Sequence, residues 1–176
     1  MKSLAIAALA ALSVAAVAAP ALAATDYVQA QAGVGFQANR DNGEAYSVAV
    51  GHDFGTVRAE AEVVALRGLN DPKLGDTQSN LANINVYVEP VTVYGVTPFV
   101  GAGVGYGSLF DRGVKGDRNG VVFNASAGAT YPLTDKLTLV GTARYFIAND
   151  VDYVKTRGTL DNYKASALTV GLRYNF

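Results

Sequence analysis

From its last residue backwards the chain alternates with a period of two. Phe176, Tyr174, Leu172, Val170 and Leu168 fall on one face of an extended segment, and Asn175, Arg173, Gly171 and Thr169 fall on the other. One face is continuously apolar and finishes in aromatic rings; the other carries a charge among small and polar residues. A strand of this kind needs an apolar medium on one side and a polar one on the other. No helix can be drawn through it without scattering the apolar residues round the axis.

The same rhythm recurs along the chain and divides it into eight segments separated by turn chemistry. From Tyr27 to Gln37, Val28, Ala30, Ala32, Val34 and Phe36 alternate with Gln29, Gln31, Gly33 and Gly35, until Asp41-Asn42-Gly43 breaks the run. From Ala45 to Phe54, Tyr46, Val48 and Val50 oppose Ser47, Ala49 and Gly51. The third segment sets Val57, Ala59, Ala61 and Val63 against Arg58, Glu60 and Glu62, and the fourth, Asn80 to Glu89, sets Ala82, Ile84, Val86 and Val88 against Asn83, Asn85, Tyr87 and Glu89. In the fifth, Pro98 to Gly107, one face is Val100, Ala102, Val104 and Tyr106 and the other is Gly101, Gly103, Gly105 and Gly107. The sixth runs from Val121 to Tyr131 and the seventh from Lys136 to Phe146, with Thr138, Thr142 and Arg144 on its polar face; the eighth runs from Tyr163 to Phe176. Each approaches the length a tilted strand needs to cross a bilayer.

The connections sort by parity. Gly55-Thr56, Pro90 to Gly95 and Pro132 to Asp135 are short, whereas Gly68 to Ser79, Phe110 to Gly120 and Ile147 to Asn162 are longer and polar. Short periplasmic turns alternating with longer outer loops are what a membrane barrel shows when both termini lie on the periplasmic side. The first outer loop, Arg40 to Glu44, is shorter than this trend. The pattern predicts an all-β fold, an eight-stranded antiparallel up-and-down transmembrane β-barrel. The competing soluble barrel would carry its apolar face inside. The terminal Phe176 and the charged, glycine-rich second face argue against it.

The other end of the chain carries an export pattern. Lys2 precedes an apolar run from Leu4 to Ala19, and Ala21-Leu22-Ala23 supplies the small residues of a cleavage site with Ala24 next. Residues 1–23 therefore read as a signal peptide and 24–176 as the barrel domain, long enough for one domain and not two. The run is too short for a membrane-spanning helix. Cysteine is absent, so an exported chain of this kind forms no disulfide. Fourteen basic residues against fifteen acidic ones leave no basic excess for nucleic acid.

These features together resemble the small eight-stranded outer-membrane proteins of Gram-negative bacteria, the outer membrane protein beta-barrel domain or porin-like group related to the OmpA barrel, OmpX and the opacity proteins. The resemblance covers the whole mature chain and is carried by LTVGLRYNF (Leu168 to Phe176), PFVGAGVGYG (Pro98 to Gly107) and the alternation Arg58-Glu60-Glu62. It implies a bacterial outer-membrane location, contact with outer-membrane lipids and lipopolysaccharide, and a barrel without an appended peptidoglycan-binding domain. It also implies that Leu172, Tyr174 and Phe176 form a C-terminal signal for the barrel assembly machinery. It does not imply a task, because such barrels serve as adhesins, surface antigens, envelope stabilisers or narrow pores.

Catalytic chemistry finds little support. Some small barrels modify lipid A through Ser and His with an acidic partner, but His52 is the only histidine. By parity it faces lipid with Val48 and Val50 near the periplasmic boundary, away from the outer leaflet. The glycines of the fifth segment alternate within a strand and do not open a helix, so they are no nucleotide loop. No cofactor is expected, and scattered carboxylates without cysteine predict no metal site. An eight-stranded barrel is just wide enough to be filled by its side chains. The candidate fillers are Arg58, Glu60, Glu62, Tyr87, Glu89, Arg144 and Arg173, expected to pair because unpaired buried charge is costly. A plugged lumen would leave the outer loops as the contact surface for lipopolysaccharide or a cell-surface ligand. A narrow channel for small solutes or ions is the alternative.

Overall fold

The structure, a computed structural model, describes residues 25–37, 42–71, 75–111, 118–148 and 163–176. Eight strands run in chain order: β1 Thr25–Gln37, β2 Gly43–Asp53, β3 Val57–Asp71, β4 Gly75–Val88, β5 Thr97–Asp111, β6 Arg118–Pro132, β7 Leu137–Ala148 and β8 Tyr163–Asn175. Each pairs antiparallel with its chain neighbour, and β1 pairs with β8, so the sheet closes on itself. Closure gives every strand two hydrogen-bonded neighbours and removes the open edge that a bilayer would not tolerate.

Closure depends on glycine at the β1–β8 seam. A Cβ at Gly33 would lie 1.9 Å from the Leu168 carbonyl oxygen, and one at Gly171 would lie 1.9 Å from that of Ala30. Both positions sit where the two backbones approach too closely for any side chain.

The strands run further than side-chain alternation indicated. Gly68 to Ser79 was expected to be loop, yet β3 continues to Asp71 and β4 starts at Gly75, with Leu69 opposite Thr77 and Asn70 opposite Asp76. The pairing register shifts between Leu66 and Leu69, where Gly68 adopts a φ of 69°. Such a bulge lets the ladder continue with increased twist. Beyond it the sequence is polar at consecutive positions, so periodicity vanishes while backbone pairing continues. In the same way β5 reaches Asp111, β6 begins at Arg118 and β7 reaches Ala148, shortening the expected long connections.

The two faces of the wall have opposite characters. Outward positions expose Val48, Ile84, Val86, Val100, Val104, Tyr106, Phe123, Leu168, Val170 and Leu172. Inward positions bury Gln29, Arg58, Glu60, Glu62, Asn83, Asn85, Asn124, Ser126, Thr142, Arg144 and Arg173. A soluble barrel has the reverse arrangement; this one is built for lipid outside.

Ile84, 66% exposed in the middle of the outward face of β4, provides the direct check. Ile84→Arg is expected to lower the unfolding free energy in phospholipid vesicles by about 2–4 kcal/mol, the cost of a guanidinium near the bilayer midplane. Urea titration of the refolded barrel measures it.

Candidate functional site

The lumen is filled in two layers. Nearest the short turns lies an ion-paired network, positioned by β3, whose inward residues Arg58, Glu60 and Glu62 stand at successive levels. Arg58 donates from Nε to Glu89 Oε1 at 2.8 Å and from Nη1 to the Tyr27 hydroxyl at 2.9 Å and Glu60 Oε2 at 3.0 Å. Its guanidinium also lies 4.1 Å from the centroid of the Tyr87 ring. The Tyr27 hydroxyl in turn donates to Glu60 Oε2 at 2.9 Å, and Tyr87 donates to Glu60 Oε1 at 3.1 Å. Both oxygens of the buried Glu60 are thereby satisfied.

Tyr87 links this group to the next level. Its hydroxyl accepts from Arg144 Nη2 at 3.1 Å, while Arg144 Nη1 pairs with Glu62 Oε2 and Nε donates to Ser126 Oγ at 3.1 Å. Glu62 Oε2 also accepts from Asn85 Nδ2 at 3.0 Å, and Asn85 Oδ1 accepts from Asn124 Nδ2 at 2.9 Å. On the far wall Arg173 donates to Gln29 Oε1 at 3.2 Å, lies 4.6 Å from the Tyr27 ring centroid, and comes within 3.9 Å of Glu89. Arg58, Arg144 and Arg173 thus face Glu60, Glu62 and Glu89, and the charge of this network balances. Charge-assisted bonds of this kind offset the desolvation that each ion suffers.

The glycines of β5 make room for the network. A Cβ at Gly101 would fall 2.3 Å from Tyr87 Cδ1, one at Gly103 would fall 2.0 Å from Asn85 Oδ1 and 2.7 Å from Asn124 Nδ2, and one at Gly105 would fall 2.1 Å from Asn83 Oδ1. The side chains of β4 lie flat across this bare strip. Phe99, inward on the same strand, closes against the Tyr87 ring edge-on, with centroids 5.4 Å apart.

Towards the long loops the filling becomes apolar. Val64, Leu66, Leu81, Val122 and Phe146, with Ala45, Ala165 and Ala167, form a second layer in which no residue is more than 4% exposed. Between the layers, Asn83 and Thr142 bury polar side-chain atoms that have no partner among the described residues. At the opposite, short-turn end a polar cavity of about 260 Å³ opens beside Glu89, Arg173, Asp53 and Asp135.

Sequence reasoning placed the charged residues on inward faces but missed three things. Tyr27 shares the parity of Gln29 and Gln31 and was legible as inward, although not as a shared partner of Arg58 and Glu60. The asparagines and Ser126 bridge from strand to strand across the lumen, a proximity that alternation within one strand does not report. The apolar layer was legible too: Val64 and Leu66 continue the row Arg58, Glu60, Glu62 by two more steps. The expected polar plug is present, and an apolar layer on the long-loop side adds to it.

The terminal residues and the single histidine lie on the outer wall. Leu172, Tyr174 and Phe176 are exposed, the Tyr174 and Phe176 rings meet edge-on at 5.5 Å, and the Phe176 amide donates to the Asp26 carbonyl at 3.0 Å. His52 Nδ1 lies 2.6 Å from Asp26 Oδ1, and its ring packs edge-on against Phe54. Ala21, Ala23 and Ala24 lie outside the described residues, as do the loop residues Arg112, Lys115, Asp117, Asp150, Asp152, Lys155, Arg157 and Asp161. Among the described residues no cluster of His, Cys, Asp and Glu has the arrangement of a metal site.

A closed eight-stranded wall, apolar outside and packed with paired charge inside, defines a transmembrane β-barrel of the up-and-down type. The family described as the outer membrane protein beta-barrel domain matches residues 7–176, and the chain belongs to it. Its place is the outer membrane, with lipid around its outward face. No curated protein sequence matches the chain. Among solved structures, Neisserial surface protein A is similar with a TM-score of 0.71 at 18% identity, covering 88% of this chain and 100% of that one. The N-terminal β-barrel domain of Pseudomonas aeruginosa OprF is similar at 0.55 and 16% identity, covering 85% and 97%. A major outer membrane protein from Thermus thermophilus is similar at 0.54 and 16%, covering 88% and 100%. At these identities the likeness speaks for the fold.

The glycine strip yields a test. Gly103→Ala must push Asn85 and Asn124 apart and also meets the Ile84 carbonyl oxygen at 2.6 Å. It is expected to destabilise the barrel by about 1–3 kcal/mol, as overpacking does, in equilibrium unfolding. Gly141→Ala, with nothing within 4 Å of the added methyl, serves as the neutral comparison.

Proposed function

We propose that this protein is a non-enzymatic envelope barrel whose lumen is closed and whose working surface is its outer loops. The observation that carries this reading is the blockage of the lumen in series, first by the Arg58–Glu60–Tyr87–Arg144–Glu62 network and then by the apolar layer around Leu66 and Phe146. An ion entering from the short-turn end would have to break paired charges. One entering from the other side would have to cross side chains that offer it no ligand. Both steps cost far more than diffusion supplies.

In this reading residues 1–23 are the export signal, removed between Ala23 and Ala24. Leu172, Tyr174 and Phe176 present the final strand to the barrel assembly machinery. The basic residues of the outer loops contact lipopolysaccharide phosphates, for which Arg and Lys are suited. The exposed aromatic end of β8 supports the second of these assignments, and the mixed charge of the loop sequences supports the third.

Planar-bilayer recording of the refolded mature protein tests the closed lumen. The wild type is expected to be electrically silent. A variant with Arg58→Ala and Glu60→Ala is expected to stay silent as well, because the apolar layer still seals the lumen. Adding Leu66→Ser and Phe146→Ser should open a measurable leak. Steady conductance from the wild type would make this a small pore for ions or solutes, and conductance from the first variant alone would remove the sealing role of the apolar layer.

A further inference from the structure

Between β4 and β5 the chain reads Val91-Thr92-Val93-Tyr94-Gly95-Val96, the most apolar of the turns at the short-turn end. Val93 and Val96 exchange backbone hydrogen bonds of 2.9 and 3.0 Å, and the two residues between them have positive φ, 51° at Tyr94 and 80° at Gly95. This is a two-residue hairpin turn in which both central positions are left-handed. Asn, Asp or Gly takes the first position at little cost; a bulky residue there is strained. Tyr94 nevertheless occupies it, and its side chain is 99% exposed. The Val93–Val96 hydrogen bonds hold the backbone in this shape, while the ring itself is left without cover from the described chain.

Three further features say what surrounds it. Val91, Val93 and Val96 are exposed beside Tyr94; Val96 shares the outward parity of Val100 on β5, and Val93 pairs with it. The hydroxyls of Thr92 and Thr97 bond to each other at 2.7 Å across the foot of the turn. Gly95 sits against the outer wall: a Cβ there would be 3.3 Å from Cε2 of Tyr131, whose ring faces outward on β6. The tip of the turn therefore lies on the lipid-facing side of the barrel, while Glu89 and Thr97 at its base line the polar lumen mouth with Asp53 and Asp135.

We infer that the β4–β5 turn is a membrane contact in its own right. Its valines and the Tyr94 ring enter the headgroup and upper acyl region of the periplasmic leaflet, where a phenol finds an apolar body and a wet end together. The partner is the phospholipid interface. It is continuous with the lipid contact of the strands but is made by a turn, beyond the end of the wall.

The chain contains no Trp, so a single Tyr94→Trp substitution gives one fluorophore at the tip. The full mature protein is refolded into phosphatidylcholine vesicles with and without bromines on the acyl carbons nearest the headgroup. Two reference variants bracket the result: Val100→Trp on the lipid-facing wall and Asp135→Trp at the aqueous mouth. The expected outcome is that Tyr94→Trp behaves like Val100→Trp, with blue-shifted emission, strong quenching by brominated lipid and little quenching by iodide. Iodide quenching equal to that of Asp135→Trp, with no response to brominated lipid, would overturn the inference and leave the tip to a periplasmic partner.

Tyr94→Asn supplies an independent sign. It relieves backbone strain, so an unanchored turn would gain stability and raise the urea midpoint in vesicles. Loss of a lipid anchor lowers that midpoint, which is the result expected. A raised midpoint would contradict the inference.

Discussion

A chain that crosses a bilayer as strands must turn apolar side chains outward, and everything else in this molecule follows from what that leaves inside. Each strand places every second residue in the lumen of a closed ring, and above the mouth beside Glu89 these residues are buried. Arg58, Glu60, Glu62 and Arg144 can be buried there only because each finds charged and hydrogen-bonding partners on other strands. Tyr27 and Tyr87 are the connecting pieces, each accepting from an arginine and donating to Glu60. With these two hydroxyls in place, guanidinium and carboxylate need not meet face to face at every level.

Steric consequences follow from this packing. Long side chains meeting from several strands require bare wall elsewhere, and β5 provides it with glycine at Gly101, Gly103 and Gly105. Above the network the filling turns to Leu66, Leu81, Val122 and Phe146, residues that need no partners. The change of character along the axis makes the closed state doubly secured. A polar plug alone could be rearranged by exchanging ion pairs, whereas an apolar layer has no alternative pairing to adopt. The family to which the chain belongs fixes its membrane setting, and the interior filling distinguishes a closed barrel from an open one.

Much of this was legible from alternation alone. The row Arg58, Glu60, Glu62 against Val57, Ala59, Ala61 determines which face is which, and the eight-fold recurrence of that rhythm determines the number of strands. What alternation does not carry is proximity across the lumen. That Asn124 on β6 bonds Asn85 on β4, or that Arg144 on β7 reaches Glu62 on β3, depends on the closure and stagger of the ring. Strand ends were legible only where one face met lipid. Past Leu66 the ladder runs on through the pairing of Asn70 with Asp76, where no medium imposes a two-sided pattern. The strain at Tyr94 was invisible in sequence, because a Tyr-Gly pair in a turn does not announce a left-handed tyrosine.

The central claim is that the interior charges are held by one another and not by water. A double-mutant cycle on Glu62 and Arg144, measured by unfolding of the barrel in phospholipid vesicles, tests it most directly. Arg144→Met alone leaves Glu62 buried without its cation, and Glu62→Met alone strands the guanidinium, each at an expected cost of about 3–5 kcal/mol. The double variant removes both charges and is expected to be more stable than the sum of the single losses by about 2 kcal/mol or more. Additivity within about 0.5 kcal/mol would mean that the two groups are independently solvated and that the lumen is open to water.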